Sequence, residues 1–448
     1  MTLDKKQYKK ILIIGLSIAL LGVATFFFLR SGDYVILGKA WFIISNLWWL
    51  IFPIPMWFIF KEAWTEYSDL MFVIKQKSIL LEIKPPSETE KSPKIMEQVF
   101  ASLYTFSGIN KFEKYCGWRP MQDKFSFELA SLEGDIHFYV RCPLAIRNPV
   151  EAHIYAQYPD AEIFEVEDYT KNFPKNLPNK DWDVWGSVLK LRKPDAFPVR
   201  TYKKFEEDVT GKMIDPLTSI TEALSTLKKG QNSWFQINFT PAADADWIPA
   251  ARAEVDKLIG RNVDKKRGGV ENFFAGIGEA FRNVGRGVMA QELEFSSEEE
   301  EIKEFNINSL PPGEQDQLKA IEENISKVGF MTNMRFVHVG KREVFNKAEG
   351  VAGFLGPMNQ FADVSLNSIV PDNRTKTFAN YYFTESRLAY RQRKIVQDYR
   401  DRAFAGTFFY FNTEELATVF HLPDMSVSAP TIHKVEAKKG EAPANLPI

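Results

Sequence analysis

The sequence predicts an α+β protein, with a two-helix transmembrane hairpin followed by two cytoplasmic units. Each unit is expected to be sandwich-like, with the β-α-β-β-α-β order of ferredoxin-like folds. Three observations predict this class. Two long uncharged stretches open the chain, Ile11–Leu29 and Ala40–Phe60. Strand-like alternation is interleaved with helical periodicity, and this pattern occurs twice, on either side of a glycine-rich and charged segment at 261–314.

The hairpin is assigned to residues 1–62. Each apolar stretch is long enough to cross ~30 Å of hydrocarbon as a helix. Lysines lie before the first stretch and after the second, so the positive-inside rule places both termini and the main body in the cytoplasm, at a plasma (inner) membrane. Pro53 and Pro55 leave open whether the second stretch is re-entrant. The lipid bilayer is therefore the first expected partner.

A charged, proline-rich linker is expected at 63–94, and the first α+β domain at 95–260. Helical spacing marks Ile95–Leu103, and two alternating segments around Glu133-Gly134 predict a β-hairpin. The remaining elements of this domain are predicted in the order strand (136–141), helix (149–157), strand (161–166), strand (184–191), helix (216–227) and strand (234–239). The predicted order is the β-α-β-β-α-β order.

The second α+β domain is expected at 315–423 and repeats this rhythm, which makes an internal duplication plausible. The predicted elements are strands at 329–339, 377–383 and 407–411 and helices at 343–354, 385–403 and 414–420. Thr413 is the expected cap of the last helix. The tail at 424–448 contains three prolines and is expected to be extended.

The segment between the domains, 261–314, is expected to be a linker that includes an amphipathic helix. An apolar stripe at helical spacing, flanked by basic residues, suggests contact with an anionic membrane surface through Phe273, Phe274, Ile277 and Phe281. Several glycines lower the helix propensity of this segment. A flexible linker, or a helix docked on the domain core, is the simpler interpretation.

Composition and motifs argue against several classes of enzyme. The sequence contains no phosphate-binding GxxxxGK[ST] loop, no GxSxG nucleophile elbow, no HExxH and no CxxC. Two cysteines and five scattered histidines supply neither a disulfide framework nor a metal-ligand pattern. No catalytic residue, cofactor or metal is therefore expected. The formal net charge of −2 argues against broad electrostatic binding of nucleic acid.

A local basic patch is the one charged feature with a regular spacing. Arg387, Arg391 and Lys394 recur at i, i+4 and i+7, and therefore share one face of the predicted helix from Glu385. A DNA backbone or an acidic partner could use such a face. Carboxylates interrupt the charge, and an ordinary solvated helix face is the simpler interpretation.

Two strings resemble a known family. Ile136-His-Phe-Tyr-Val-Arg-Cys-Pro143, followed by the segment from Val150 to Tyr169, is similar to the region that precedes the motor in bacterial HerA/FtsK-like ATPases of type IV secretion and conjugative coupling. Asn412–Pro423 resembles the string that leads into that motor. The Walker loop of the family does not occur in this sequence, so no catalytic role is carried over.

The resemblance and the residues together predict a non-enzymatic, membrane-anchored cytoplasmic scaffold or docking module. The resemblance implies a place in a type IV secretion-like apparatus for DNA or protein translocation, working with a motor ATPase on another polypeptide. A second copy of the chain, in a homo-oligomer, is a further expected partner. Nucleic acid is the partner that the sequence supports least. Two alternatives stay open, a membrane-bound enzyme with an unrecognised site and an organiser of the lipid surface.

Overall fold

The computed structural model describes residues 38, 42, 46, 53–86, 92–105, 111–116, 122–205, 215–259 and 310–423. Within these residues, nine β-strands form one antiparallel sheet. The strands are β1 Ser78–Lys84, β2 Phe125–Leu132, β3 Asp135–Pro143, β4 Glu162–Val166, β5 Trp182–Leu191, β6 Gln231–Pro241, β7 Gly329–Lys341, β8 Ile369–Pro371 and β9 Phe409–Asn412. Their order across the sheet is β4-β1-β3-β2-β6-β7-β5-β8, with β9 beside the first half of β7.

Ten α-helices are described with these strands. They are α1 Pro53–Lys75, α2 Lys94–Leu103, α3 Lys111–Cys116, α4 Arg147–Gln157, α5 Thr218–Ser225, α6 Asp244–Leu258, α7 Pro312–Ile325, α8 Gly353–Met358, α9 Thr384–Arg400 and α10 Thr413–Val419. A π-helical turn at Ala348–Ala352 leads into α8. The α+β class predicted from the sequence is confirmed.

The sheet buries a different core on each face, because successive residues of a strand point to opposite sides. One face is covered by α2, α4, α5, α8 and α10, and its core contains mainly phenylalanine and aliphatic side chains. The other face is covered by α9 and by the loop around Tyr169 and Leu177. In β1, Leu80 belongs to the second core and Leu81 to the first.

The predicted hairpin between β2 and β3 is confirmed. Leu132 pairs with Asp135, and Glu133-Gly134 forms the turn. Gly134 has a φ of +99°, a region that L side chains rarely adopt, and a β-carbon there would lie 2.8 Å from the carbonyl oxygen of Leu227. Both the backbone angle and the space require glycine at this position.

The predicted transmembrane hairpin is wrong. Among the described helices, none combines the length and the apolar character that a membrane span requires. The second predicted stretch ends inside α1, where Lys61, Glu62 and Glu66 follow the apolar start of the helix within two turns. Only eight residues of the predicted stretch, 53–60, lie in this helix before the charges, far fewer than the ~20 that a span requires. The first predicted stretch, Ile11–Leu29, lies outside the described residues, as does most of the second stretch before Pro53.

The expected arrangement as two separate ferredoxin-like units is also corrected. β5, from the first predicted unit, pairs with β7 and β8 of the second. In the other direction, the ring of Phe420 lies 5.1 Å from that of Phe127 on β2. The strands and helices of both halves therefore build one sheet with shared cores. Pairing between strands that are distant in sequence leaves no local signal that would have shown this.

Candidate functional site

Arg387, Arg391 and Lys394 lie on α9, and their side chains line one cleft on the second face of the sheet. This basic cleft has a volume of about 690 Å³. Its lining residues are Asp372, Arg374, Thr375, Ser386, Arg387, Tyr390, Arg391, Lys394, Ile395, Asp398, Gly406, Thr407 and Phe408. The structure thus brings the predicted basic patch together, and adds Arg374 from the turn after β8.

The wall opposite α9 is built by a turn that is fixed to the edge of the sheet. The Asp372 amide donates to the Val188 carbonyl at 2.8 Å, and the Val188 amide donates to the Thr375 hydroxyl at 3.1 Å. The hydroxyl of Thr407 donates to the Asp372 carboxylate at 2.7 Å. Asp372 is therefore a buried structural acceptor that ties the turn to the loop at Gly406.

The arginines of α9 use their hydrogen bonds on backbone carbonyls. Arg391 donates to the carbonyls of Lys376, at 3.1 Å, and Phe378. Arg387 donates to the carbonyl of Asn380 at 3.1 Å. A carbonyl satisfies the donor without neutralising its charge, so both guanidinium groups keep a full positive charge at the cleft.

The cleft consequently has an excess of positive charge. Four basic side chains line it, against the carboxylates of Asp372 and Asp398. Burial raises the pKa of Asp398, and the positive charges of Arg335 and Lys394 oppose that shift. Tyr390 and Phe408 contribute exposed rings to the same lining. Such a surface can bind an anionic group and stack against a flat one.

A buried polar network fixes the C-terminal end of α9 on the sheet. Arg335 of β7 donates to the carbonyls of Asp398 and Ala403, and to the amide oxygen of Gln236 at 3.1 Å. A cation at a helix C-terminus also interacts favourably with the helix dipole. Burial lowers the pKa of Arg335 to about 10, so the guanidinium is still charged at neutral pH.

A second buried arginine completes this network. Arg402 donates from Nε and Nη2 to the two carboxylate oxygens of Glu128, at 2.9 and 3.2 Å, and it also pairs with Asp168. The hydroxyl of Tyr169 donates to Glu128 at 2.8 Å and lies 2.6 Å from that of Tyr399. The last turn of α9 is thereby held by charge-assisted bonds to β2 and to the loop after β4.

Sequence reasoning missed these anchoring residues. The available signal was a charged residue at an inward position of a strongly apolar strand, Glu128 in Phe-Ser-Phe-Glu-Leu, with a second one, Arg335, in β7. A buried charge of this kind requires a partner elsewhere in the fold. The sequence could not show that the partner of Glu128 would be Arg402.

The other predicted site residues lie elsewhere. Phe273, Phe274, Ile277 and Phe281 fall outside the described residues, so their expected contact with a membrane surface stays a prediction. In the described part of the chain, no group of three or more His, Cys, Asp or Glu side chains could hold a metal ion.

With this geometry established, comparison with known proteins places the chain in a family. A family model described as "Domain of unknown function (DUF8128)" matches residues 68–435. The chain belongs to this family. The match covers every strand of the sheet, the basic cleft and both buried arginines. No curated protein matches the chain. The resemblance to HerA/FtsK-like coupling ATPases therefore stays a prediction from the sequence.

Proposed function

We propose that this chain is a non-enzymatic docking module that binds an extended polyanionic partner in the basic cleft. One observation carries the proposal: four basic side chains converge on one cleft, and two of them, Arg387 and Arg391, are hydrogen-bonded to backbone carbonyls rather than to carboxylates. A surface with unneutralised positive charge gains free energy when an anionic ligand replaces its counterions.

The arrangement supports docking better than catalysis. Neither carboxylate of the cleft is set up for proton transfer to a substrate. Asp372 is buried and accepts a hydrogen bond from the Thr407 hydroxyl, and burial disfavours the charged form of Asp398. A general acid–base pair needs two groups that both reach a substrate. The membrane location and the separate motor ATPase expected from the sequence stay predictions and have no part in this proposal.

The proposal is tested with two neighbouring residues of α9. Lys394 lines the cleft, whereas Arg393 is exposed, does not line it, and donates to the Ala389 carbonyl. Lys394→Glu should elute from a heparin column at clearly lower salt than the wild type, because it removes one positive charge and adds a negative charge inside the cleft. Arg393→Glu makes the same change in net charge outside the cleft.

The matched pair separates a local site from general charge. Elution of Arg393→Glu should stay close to that of the wild type. Equal shifts for the two variants would mean that heparin responds to overall charge, and would overturn the proposal. Both variants should keep the wild-type melting temperature, since neither residue is buried.

A further inference from the structure

Three consecutive aromatic side chains project into solvent immediately before α9. This aromatic tip comprises Tyr381, Tyr382 and Phe383, whose side chains are 86%, 85% and 83% exposed. Exposing one large ring is ordinary, but three adjacent rings form an apolar patch that water solvates poorly. The tip makes no contribution to either hydrophobic core of the sheet.

The backbone of the tip is strained. Tyr381 has a φ of +69° and Phe383 a φ of +54°, the left-handed region that bulky L residues avoid. Strain of this kind persists only where the surrounding structure enforces it, and it concentrates at functional sites. Two arginines of α9 donate to the carbonyls of Lys376, Phe378 and Asn380, and so hold the segment that leads into the tip.

The tip and the basic cleft are therefore parts of one surface. Arg387 and Arg391 line the cleft and also hold the segment that presents the rings. Tyr390 and Phe408 are exposed within the cleft itself, and the ring of Phe378 is half-exposed beside the tip. Positive charge and accessible rings thus occur together in the cleft and in the segment that its two arginines hold.

We infer that the ligand of this surface is single-stranded nucleic acid; the inference rests on the proposed function and names its partner. Phosphates would lie against the basic side chains of the cleft, and bases would stack on the rings of the tip. Proteins that bind single strands without sequence preference combine these two features, a basic groove and aromatic stacking platforms.

Other anionic ligands account for only part of the surface. An acidic peptide satisfies the charge of the cleft but supplies no flat groups for the rings. A duplex presents phosphates, but its bases are paired and stacked inside. A single strand offers a phosphate and an unpaired base in every nucleotide, which matches charge and rings together.

The test uses the full chain and a fluorescein-labelled thymidine oligonucleotide of about 15 nucleotides, near the upper site size of one single-strand-binding domain. Fluorescence anisotropy should show saturable binding. A plot of the logarithm of the association constant against the logarithm of the salt concentration should have a negative slope. With four basic side chains in contact with phosphates, that slope should be no steeper than about −3. A duplex of the same length and a polyglutamate peptide should bind at least about tenfold more weakly.

The decisive variant removes two rings and keeps the backbone. Asparagine tolerates a left-handed φ, so Tyr381→Asn with Phe383→Asn should fold and melt like the wild type. The loss of stacking should weaken oligonucleotide binding at least about tenfold, because each stacked base contributes about 5- to 140-fold in affinity. Elution from heparin should not change, since no charge is altered.

The outcomes distinguish the inference from the proposed function. If Lys394→Glu weakens heparin binding while the double asparagine variant binds the oligonucleotide normally, the cleft is a polyanion site and the inference is wrong. Equal affinity for polyglutamate or for the duplex overturns it as well, in favour of an acidic protein or of phosphate contacts alone. Binding to vesicles of anionic lipid that the asparagine variant loses, without oligonucleotide binding, would assign the tip to a lipid surface and also overturn it.

Discussion

Replacing Arg402 by methionine should be the most damaging single change near the cleft. The guanidinium binds both carboxylate oxygens of Glu128, and neither side chain is accessible to more than a trace of solvent. Methionine retains the apolar stem but leaves the Glu128 carboxylate buried without a counter-ion. A buried charge that has lost its partner cannot be rehydrated without opening the sheet.

The size of the stability loss depends on the hydrogen bonds that Glu128 keeps in the Arg402→Met variant. Removing one partner of a buried ion pair costs about 3–5 kcal/mol. Glu128 still accepts hydrogen bonds from Ser126, Tyr169 and Gln236, three neutral donors that offset part of the loss. Arg402 also pairs with Asp168, but that carboxylate is partly exposed and water can hydrate it once the arginine is gone. The expected loss is therefore near the lower end, about 3 kcal/mol, a large part of the ~5–15 kcal/mol typical of a folded domain.

Urea unfolding followed by circular dichroism measures this loss, and a second variant tests its cause. Glu128→Gln combined with Arg402→Met removes the unpaired charge, so the double variant should be more stable than Arg402→Met alone by about 1–3 kcal/mol. Two losses that simply add would refute the reasoning. Arg400→Met is the control, because Arg400 donates to loop carbonyls and neutralises no buried carboxylate.

Two further pairs of variants test local features away from the cleft. Burial raises the pKa of Glu415 to about 8, so this carboxyl group should lower stability as pH rises from 4.5 to about 8. Glu415→Gln should therefore become more stable relative to the wild type across that range, as measured by urea unfolding. Burial acts to raise the pKa of the neighbouring Glu414, but hydrogen bonds from two lysines outweigh it and lower that pKa. Glu414→Gln should therefore be less stable than the wild type at neutral pH, and the difference should shrink towards acid pH. Matching pH profiles for the two variants would contradict both assignments. A β-carbon at Gly350 would lie 2.2 Å from the ring of His338, so Gly350→Ala should cost about 1–3 kcal/mol in thermal unfolding, whereas Gly356→Ala, with nothing within 4 Å, should be neutral or stabilising.

The elements that the sequence predicts well are those whose signals are local. The β2–β3 hairpin follows from strand alternation around Glu133-Gly134, and the glycine at positive φ is the residue that such turns require. Helix α9 was expected at 385–403 and lies at Thr384–Arg400. The last helix was expected to begin with Thr413 as its cap, but the side chain of Asn412 accepts from the Glu415 amide at 2.8 Å and closes a capping box.

The sheet topology could not be predicted, because the central strands lack the alternation that specifies pairing. Every residue of β6 is buried, so its sequence gives no sign of which neighbour lies on either side. The partner of β6 on one edge is β7, almost a hundred residues later. The crossing of β5 into the other half of the sheet left no trace in local sequence either.

The candidate site was predictable in one part only. The spacing of Arg387, Arg391 and Lys394 places them on one helix face, and that holds for any α-helix. The opposite wall comes from the turns at Asp372 and Gly406, which no periodicity connects to α9. The aromatic tip was mistaken for a strand at 377–383, because phenylalanine and tyrosine have high β-propensity and the sequence does not show where their side chains point.

The way α9 is anchored explains how the basic cleft and the aromatic tip are held, although the first turns of the helix pack on neither core of the sheet. The helix packs on the second core through Ile395, Val396 and Tyr399, in its last two turns. Arg335 and Arg402 both fix the end of the helix, Arg335 through backbone carbonyls and Arg402 through carboxylates. The basic face and the aromatic tip then extend from an anchored end. Because Arg387 and Arg391 are held by backbone carbonyls before any ligand arrives, less conformational entropy is lost on binding than on a flexible basic segment.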